Sequence, residues 1–373
     1  MQPLRVGIDA TGLGRFKTGT AVYTVEILRA WNADKNLNAR FDLFLSTKTR
    51  AFFDELQLDG RFFYHLAPDY RGLRSIWQHT VLPAKLIGMR CNVLWGSTFI
   101  VPLLAPCPSV VTIHDMTHHT MPGVHERLKR WYLRIAVGWS LRKARAILAI
   151  SEATRADIAR IFPAVATKIQ VTLLAARQFG QNPMVRAEGA DPYVLAIGTL
   201  EPRKNIPRLI AAWRAIDPAI RGPVRLYIAG CEGWMMGELL SAQMQEAVAV
   251  QFLGYMSEGQ LQALLAHALF LAYPSLYEGF GLPVIEAMSL GVPVLTSAVG
   301  ATAEVAGDAA FLIDPLSTKS ILEGLVRLLR DGTLRRDLAS RGRLRAREFS
   351  WGRTARETFS VIQLAGAGSA DRE

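Results

Sequence analysis

The chain has 373 residues, half of them hydrophobic and a fifth charged, with a formal net charge of +11. That length suggests two domains of ordinary size with ample core, and no uninterrupted apolar run of about 18 residues or more reads as a transmembrane helix. The three cysteines, Cys91, Cys107 and Cys231, are an odd, sparse set that argues against a disulfide framework or a zinc site and suits reduced thiols in a cytoplasmic protein.

The basic excess belongs to one half. Residues 1–180 carry 24 Lys and Arg against 12 Asp and Glu, while residues 181–373 carry 19 against 20. A basic domain seeks phosphate-rich partners: nucleic acid, an anionic membrane or a phosphorylated acceptor. No nucleic-acid module signature is present, which favours the membrane or a lipid-phosphate acceptor. The N-terminus lacks a basic region ahead of a long apolar stretch and reads as a first strand, not a signal peptide.

In chain order, the pattern predicts a strand over 4–9, a glycine-rich loop over 11–20 and a helix over 21–32. Ala21, Val25, Leu28 and Trp31 share one face of that helix. Gly12, Gly14 and Gly19 do not have the Gly-x-Gly-x-x-Gly spacing, which argues against a nicotinamide site. The bland reading of Gly19 is a loop glycine needed for a positive φ angle. Strands follow over 41–46, 62–66 and 91–96, with a helical stretch at 51–56.

The run Ser109-Val110-Val111-Thr112-Ile113-His114-Asp115 is a buried-strand pattern that ends abruptly in polar residues. The carboxyl end of a parallel strand is where open α/β sheets bind ligands. His118 and His119 lie close by, but four ligands within six positions would crowd a tetrahedral metal site, and no metal is expected. Residues 126–147 carry seven basic residues and one acid, interleaved with Trp131, Tyr132 and Trp139. Two readings stand: a helix for the interface of an anionic bilayer, or a sheet-covering helix with a solvated basic face. A strand over 146–151, a helix to 161 and a strand over 169–174 close the first domain. The run 176–191, rich in Gln, Asn, Gly and Pro, reads as an interdomain linker.

A strand over 193–197 then runs into Gly198-Thr199-Leu200-Glu201-Pro202-Arg203-Lys204-Asn205 and a helix over 206–216. Adjacent cations at a strand–helix junction suit a diphosphate. Strands over 225–230 and 250–253 precede a helix over 257–266, where Ser257 and Gln260 have capping-box spacing.

The chain is organised around the next stretch, Tyr273-Pro274-Ser275-Leu276-Tyr277-Glu278-Gly279-Phe280-Gly281-Leu282-Pro283-Val284-Ile285-Glu286. A strand over 269–273 leads into a glycine turn, and Pro283 sits where a helix begins. Free N–H groups at Gly281 and Leu282 make an anion site. Glu278 and Glu286 bracket the turn, and carboxylates are good acceptors for sugar hydroxyls. Phosphate on the turn with a hydroxyl-rich group on each side describes a nucleotide-sugar. Strands over 292–297 and 309–313, a loop over 298–304, a helix over 317–329 and a final helix over 351–364 complete the pattern. The tail from 366 reads as disordered.

The glutamate–seven residues–glutamate stretch resembles the signature of retaining GT-B glycosyltransferases, in particular glycosyltransferase family 4. The strand ending in His114-Asp115 and the Gly198 to Asn205 segment are similar to two further family segments, in the same order. The resemblance implies an α/β, GT-B fold: two Rossmann-like domains with parallel sheets facing across a cleft. An acceptor-binding domain is expected over 1–180, a linker over 181–191 and a nucleotide-sugar-binding domain over 192–350. A C-terminal helix over 351–365 returns to the first domain. The resemblance implies catalytic roles at the donor sugar for His114 and Glu278. It implies donor binding by Gly19, Arg203, Lys204, Gly281, Leu282 and Glu286, the last at the ribose. One departure is Thr199, where some relatives place an arginine; Arg203 and Lys204 are left as the main cations.

The reaction so implied is retaining transfer of a hexose without metal or cofactor, and the sequence has no Asp-x-Asp pair. The implied partners are a nucleotide-sugar donor, a saccharide or lipid-linked saccharide acceptor and an anionic membrane surface, with no nucleic acid. The motif combination resembles bacterial mannosyltransferases of surface-polysaccharide assembly, which points to GDP-mannose. A UDP-hexose-dependent transferase, a GT-B nucleotide-sugar epimerase and a non-catalytic interaction protein stay open. The expected location is cytoplasmic, peripheral on the inner face of the cell membrane.

Overall fold

The computed structural model describes residues 2–14, 17–121, 127–177, 191–231 and 249–367. The chain forms two compact units. The first holds Met1–Met116, Arg127–Leu174 and Ser350–Glu373; the second holds Thr117–Glu126 and Ala175–Phe349.

In the first unit, strands β1 (Leu4–Asp9), β2 (Ala39–Ser46), β3 (Phe62–Ala67), β4 (Val93–Gly96), β5 (Ser109–Ile113), β6 (Ala146–Ala149) and β7 (Ile169–Val171) form one sheet. The order is β3-β2-β1-β4-β5-β6-β7, and every pairing is parallel. Strands covered on both faces read as continuous apolar runs, and β4 and β5 are buried throughout. Helices α1 (Gly19–Ala33), α2 (Thr47–Asp54) and α3 (Arg71–Gly88) connect the early strands. The short helix α4 (Thr117–Thr120) groups with the second unit. Helices α5 (Arg127–Lys143) and α6 (Glu152–Ile161) cover the late strands.

Helix α1 is buried well beyond its expected face, at Val22, Tyr23, Thr24, Glu26 and Ile27 as well. The reason is the last helix of the chain, α14 (Trp351–Ala367), which packs on α1, β4 and β5 (labels α7 to α13 follow below). Trp31 Nε1 donates to Ala355 O at 2.9 Å, and its ring meets Phe359 edge-on at 5.8 Å. A fully buried aromatic or aliphatic side chain contributes about 1.5–3 kcal/mol, so this helix is part of the first unit's core.

In the second unit, β8 (Tyr193–Ile197), β9 (Arg225–Ala229), β10 (Val250–Gly254), β11 (Leu271–Tyr273), β12 (Val294–Ser297) and β13 (Phe311–Ile313) pair in the order β10-β9-β8-β11-β12-β13, again all parallel. Helices α7 (Ile206–Arg214), α8 (Pro218–Arg221), α9 (Glu258–Ala266), α10 (Leu282–Leu290), α11 (Gly300–Ala306), α12 (Thr318–Arg330) and α13 (Gly332–Ala346) accompany the sheet. Trp213, Phe270, Leu295 and Leu325 centre its core. Both sheets reverse strand order once, between β1 and β4 and between β8 and β11. In doubly wound folds, ligands bind beyond the strand carboxyl ends at that reversal.

Five expectations differ from the structure. The first domain was expected to end at 180, but the chain changes unit between Leu174 and Ala175. Just past that point, Arg177 pairs with Glu258 and Glu286 within the second unit. The loop expected over 298–304 is mostly helix α11, which no apolar period announces. Helix α13 was missed because it is polar nearly all round, with only Leu338 and Gly342 buried. Gly19 is the first residue of α1 and has helical backbone, so a positive φ is not its role. The tail expected to be disordered from 366 begins inside α14, which runs to Ala367 and buries Gly366, because the apolar face of that helix continues to its end. The expected linker 181–191, except Asp191, and the residues from 368 lie outside the described residues.

Candidate functional site

The second unit's reversal point is built by the loops after β8 and β11. Gly198 ends β8 at φ +140°, and Gly230 ends β9 at φ +156°. A Cβ on Gly230 would stand 2.0 Å from Gly198 O, so only glycine permits this approach. Gly198 N donates to Ala229 O and Leu200 N to Cys231 O, both at 2.9 Å, which fixes the loop carrying Arg203 and Lys204. Asn205 follows at φ +60°, a left-handed position that asparagine tolerates. Its Nδ2 donates to Pro274 O at 3.0 Å and Pro315 O at 2.7 Å. Leu276 N donates to Arg203 O at 2.7 Å, so the two loops are stitched through their backbones.

Between them lies a buried ionic cluster. Lys204 Nζ donates to Glu278 Oε1 at 2.6 Å and to Tyr273 Oη at 2.5 Å. Tyr273 Oη donates to Glu278 Oε1 at 2.9 Å. Arg203 Nη1 donates to Glu278 Oε2 at 2.5 Å, and its Nε to Glu201 Oε2 at 2.8 Å. Burial alone would raise the Glu278 carboxyl, but the Arg203 and Lys204 charges overcome it and hold the group at about 2. Burial dominates at Lys204 and lowers its ammonium to about 8, against the pull of Glu278. Tyr273 is pushed well above its ordinary value by burial and then by Glu278.

Helix α10 begins beside this cluster. Gly281 caps it at φ +102°, and Pro283 sits in the first turn, where a missing N–H costs nothing. Glu286, one turn in, is fully buried. Arg177 Nε and Nη2 donate to its two oxygens at 2.6 and 3.0 Å, and Nη1 reaches Glu258 Oε1 at 3.4 Å.

The comparisons with known proteins agree with this architecture. A family model described as "Glycosyltransferase Family 4" matches residues 17–173, and one described as "Glycosyl transferases group 1" matches 182–345. O-antigen chain mannosyltransferase B of Escherichia coli is 34% identical over 269 residues, covering 69% of this chain and 70% of that protein. The chain is a family 4 glycosyltransferase. The glycosyltransferase is also 26% identical to O-antigen chain mannosyltransferase RfbU of Salmonella typhimurium, over 59% of this chain and 60% of that one. Among solved structures, Anabaena Alr3699/HepE, in complex with UDP and glucose, superposes at a TM-score of 0.72 with 18% identity, over 96% of this chain and 99% of that chain. WaaG, described as involved in lipopolysaccharide biosynthesis, superposes at 0.73 with 16% identity over the same shares. These two likenesses bear on the fold, which is GT-B.

The structure thus brings Arg203, Lys204 and Glu278 into contact, sets Gly281 and Leu282 at the adjoining helix start, and puts Glu286 beneath Arg177. His114 and Gly19 belong to the first unit of the glycosyltransferase. His114 ends β5; its Nε2 donates to Ser97 O at 2.8 Å, which leaves the acceptor lone pair on Nδ1. Burial lowers its pKa, so it stays neutral at neutral pH. Tyr23 meets its ring edge-on at 5.1 Å.

Two groups escaped the sequence reading. Asp9 ends β1 at the first sheet's reversal, where Thr11 N, Thr11 Oγ1 and Gln78 Nε2 donate to it at 3.0, 2.7 and 2.7 Å. Burial raises its carboxyl. The signal was available: like His114, it is a polar residue at the carboxyl end of an apolar strand. Arg177 had no local signal, since its partners lie 81 and 109 positions away. Among the described residues, no group of three or more His, Cys, Asp or Glu side chains is placed to hold a metal ion, and no helix is long and apolar enough to cross a membrane.

Proposed function

We propose that this glycosyltransferase is a retaining, metal-independent mannosyltransferase. It takes mannose from GDP-mannose and adds it to a lipid-linked saccharide in surface-polysaccharide synthesis. The observation that carries the reading is the Arg203–Lys204–Glu278 cluster at the reversal point of the second sheet, against the N-terminus of α10. Mannose is supported by the names of the two O-antigen relatives and, within the family, by the strand-end His114-Asp115 and Gly198 to Asn205 segments.

In this reading the donor diphosphate lies against Arg203, Lys204 and the free N–H groups of Gly281 and Leu282. Those donors stabilise the negative charge that grows on the leaving nucleoside diphosphate, the task a metal performs in other transferases. Glu278 accepts hydroxyls of the sugar, and its carboxylate, ionised down to about pH 2, is a pure acceptor. Glu286 accepts the ribose hydroxyls. The bond from C1 to the β-phosphate oxygen breaks, and the acceptor oxygen bonds C1 on the same face. The acceptor's proton passes to the departing phosphate. Gly19 approaches the diphosphate through its backbone, and neutral His114 reaches the sugar near its anomeric carbon.

The acceptor side is assigned to the basic first unit at an anionic membrane. Helix α5 supports this: Leu128 is 84% exposed and Trp131 67%, and with Ile135 and Trp139 they form one stripe flanked by Arg127, Arg130 and Arg134. A stripe of that kind suits a bilayer interface.

The test is thermal stabilisation by GDP, UDP and ADP, each with and without its hexose, in chelator. Product configuration is then read by NMR. Stabilisation by GDP and GDP-mannose, followed by an α-linked product, supports the reading. A preference for UDP species removes mannose, and a need for divalent metal removes the metal-independent step. Free sugar or a converted donor without transfer product would indicate an epimerase.

A further inference from the structure

Phe99, in the loop after β4, stands at φ +55°. A bulky side chain adopts that left-handed position only at a cost, and such positions persist where their neighbours over-determine them. Here the loop is tied at three points. Ser97 N and Oγ donate to Asp9 O at 3.2 and 3.0 Å, Phe99 N donates to Thr112 O at 2.9 Å, and Val101 N donates to Ser140 Oγ at 3.1 Å. The strained conformation sets the Phe99 ring 5.4 Å from the His114 imidazole, centroid to centroid. Tyr23 meets the same imidazole edge-on at 5.1 Å. Its hydroxyl lies 3.3 Å from Thr112 Oγ1, which also accepts from Trp95 Nε1 at 3.0 Å.

These ring contacts complement the hydrogen bond from His114 Nε2 to Ser97 O. One hydrogen bond sets the tautomer but lets an imidazole swing about it. Two ring contacts from braced side chains remove that freedom. His114 keeps 5% exposure, and among the described residues its Nδ1 has no hydrogen-bond partner. We infer that Phe99 is a positioning residue for donor-sugar recognition: its strained backbone holds an aromatic ring against His114, and with Tyr23 and Ser97 it keeps Nδ1 as a fixed acceptor for one hydroxyl of the sugar. The inference rests on the reading of His114 at the donor sugar. Phe99 acts through His114, so its contribution is to binding of the sugar and not of the nucleoside diphosphate.

The experiment measures dissociation constants for GDP-mannose and GDP, with UDP-glucose and UDP in parallel, in wild type, Phe99→Gly, Phe99→Ala, Phe99→Tyr and His114→Ala. The readout is the ratio of nucleotide-sugar to nucleotide constants, from which any change in diphosphate binding cancels. Loosening a neutral hydrogen bond changes such a ratio by about three- to tenfold. Phe99→Gly and Phe99→Ala should raise it by that factor for the pair that binds, while Phe99→Tyr, which keeps the ring, holds the wild-type value. Thermal unfolding is the second readout. Glycine is unstrained at this φ and alanine is not, so Phe99→Gly should melt above Phe99→Ala. Equal loss of sugar recognition in two variants of unequal stability supports positioning, since a purely structural role would make the loss follow stability. Phe99→Gly carries the test if Phe99→Ala does not fold. A wild-type ratio in folded Phe99→Gly, or a loss in Phe99→Ala that Phe99→Gly restores, overturns the inference. If His114→Ala leaves the wild-type ratio unchanged, the reading of His114 has failed instead. No binding of either pair by wild type removes the donor reading and the inference with it.

Discussion

Lys204 and Glu278 form a buried ion pair at 2.6 Å, with Tyr273 bonded to both. Their acidities are displaced in the same direction for opposite reasons. Glu278 sits between two cations and is held at about 2; Lys204 is dominated by burial and falls to about 8. The pair therefore remains charged from acid conditions to just above neutrality, and each end of that window can be measured.

At the acid end the observable is stability. A carboxyl with a folded pKa of about 2 and an ordinary value of 4.5 contributes stability that is fully present above 4.5 and is lost as pH falls toward 2. The contribution is on the order of 3 kcal/mol. Denaturant unfolding of wild type and Glu278→Gln should show a constant gap above pH 5 that narrows below it. The same variant keeps its fold at neutral pH and loses transfer by at least about 100-fold. Wild-type turnover in Glu278→Gln would remove this residue from the site.

At the alkaline end the observable is donor capture. Lys204 loses its proton above about 8, and the diphosphate then loses one of its cations. The kcat/KM for the donor should fall above pH 8, since that parameter reports the free enzyme. Lys204→Arg, which does not titrate there, should lack this limb. Stability runs the other way: between 8 and 10.5 the folded state binds fewer protons than the unfolded one, so this group's contribution rises with pH.

The two strand-end glycines should differ in tolerance. A methyl on Gly230 meets the Gly198 carbonyl at 2.0 Å, which is backbone and cannot turn aside. A methyl on Gly198 meets the Lys204 side chain at 2.8 Å, and that chain can shift. Gly230→Ala should cost more than about 2 kcal/mol of stability and abolish nucleotide binding. Gly198→Ala should fold, with the strain of φ +140°, and bind donor weakly. Equal midpoints in thermal unfolding would contradict this order.

The exposed stripe on α5 is tested without touching the donor site. Leu128→Ser together with Trp131→Ser should leave the unfolding midpoint within about 0.5 kcal/mol of wild type, because both side chains are exposed. Sedimentation with vesicles containing an anionic phospholipid should then drop severalfold, while neutral vesicles bind neither protein. Unchanged sedimentation of the double variant would show that α5 is an ordinary solvated helix.

Much of the fold was legible because parallel strands buried on both faces give short continuous apolar runs, and nearly every strand was found within a few residues. The errors fell where that signal is missing. Helix α13 is charged around most of its circumference, and α11 is a short helix between a strand and a glycine. Arg203, Lys204, Glu278 and Glu286 stand out in the sequence as candidates because each stands at a fixed offset from a local strand–turn–helix.

The sequence by itself determined the strands and most of the helices, their alternation, the family motifs and the asymmetry of charge. All of these are written in spacings of a few residues. Only the tertiary structure decided what those side chains bond to. Glu278 meets Lys204 across 74 positions, Glu286 meets Arg177 across 109, and Trp31 meets Ala355 across 324. Such partners carry no periodicity, because chain reversal and sheet order bring them together. The ionisation of each buried group follows from those neighbours and from burial, and both exist only once the chain has folded.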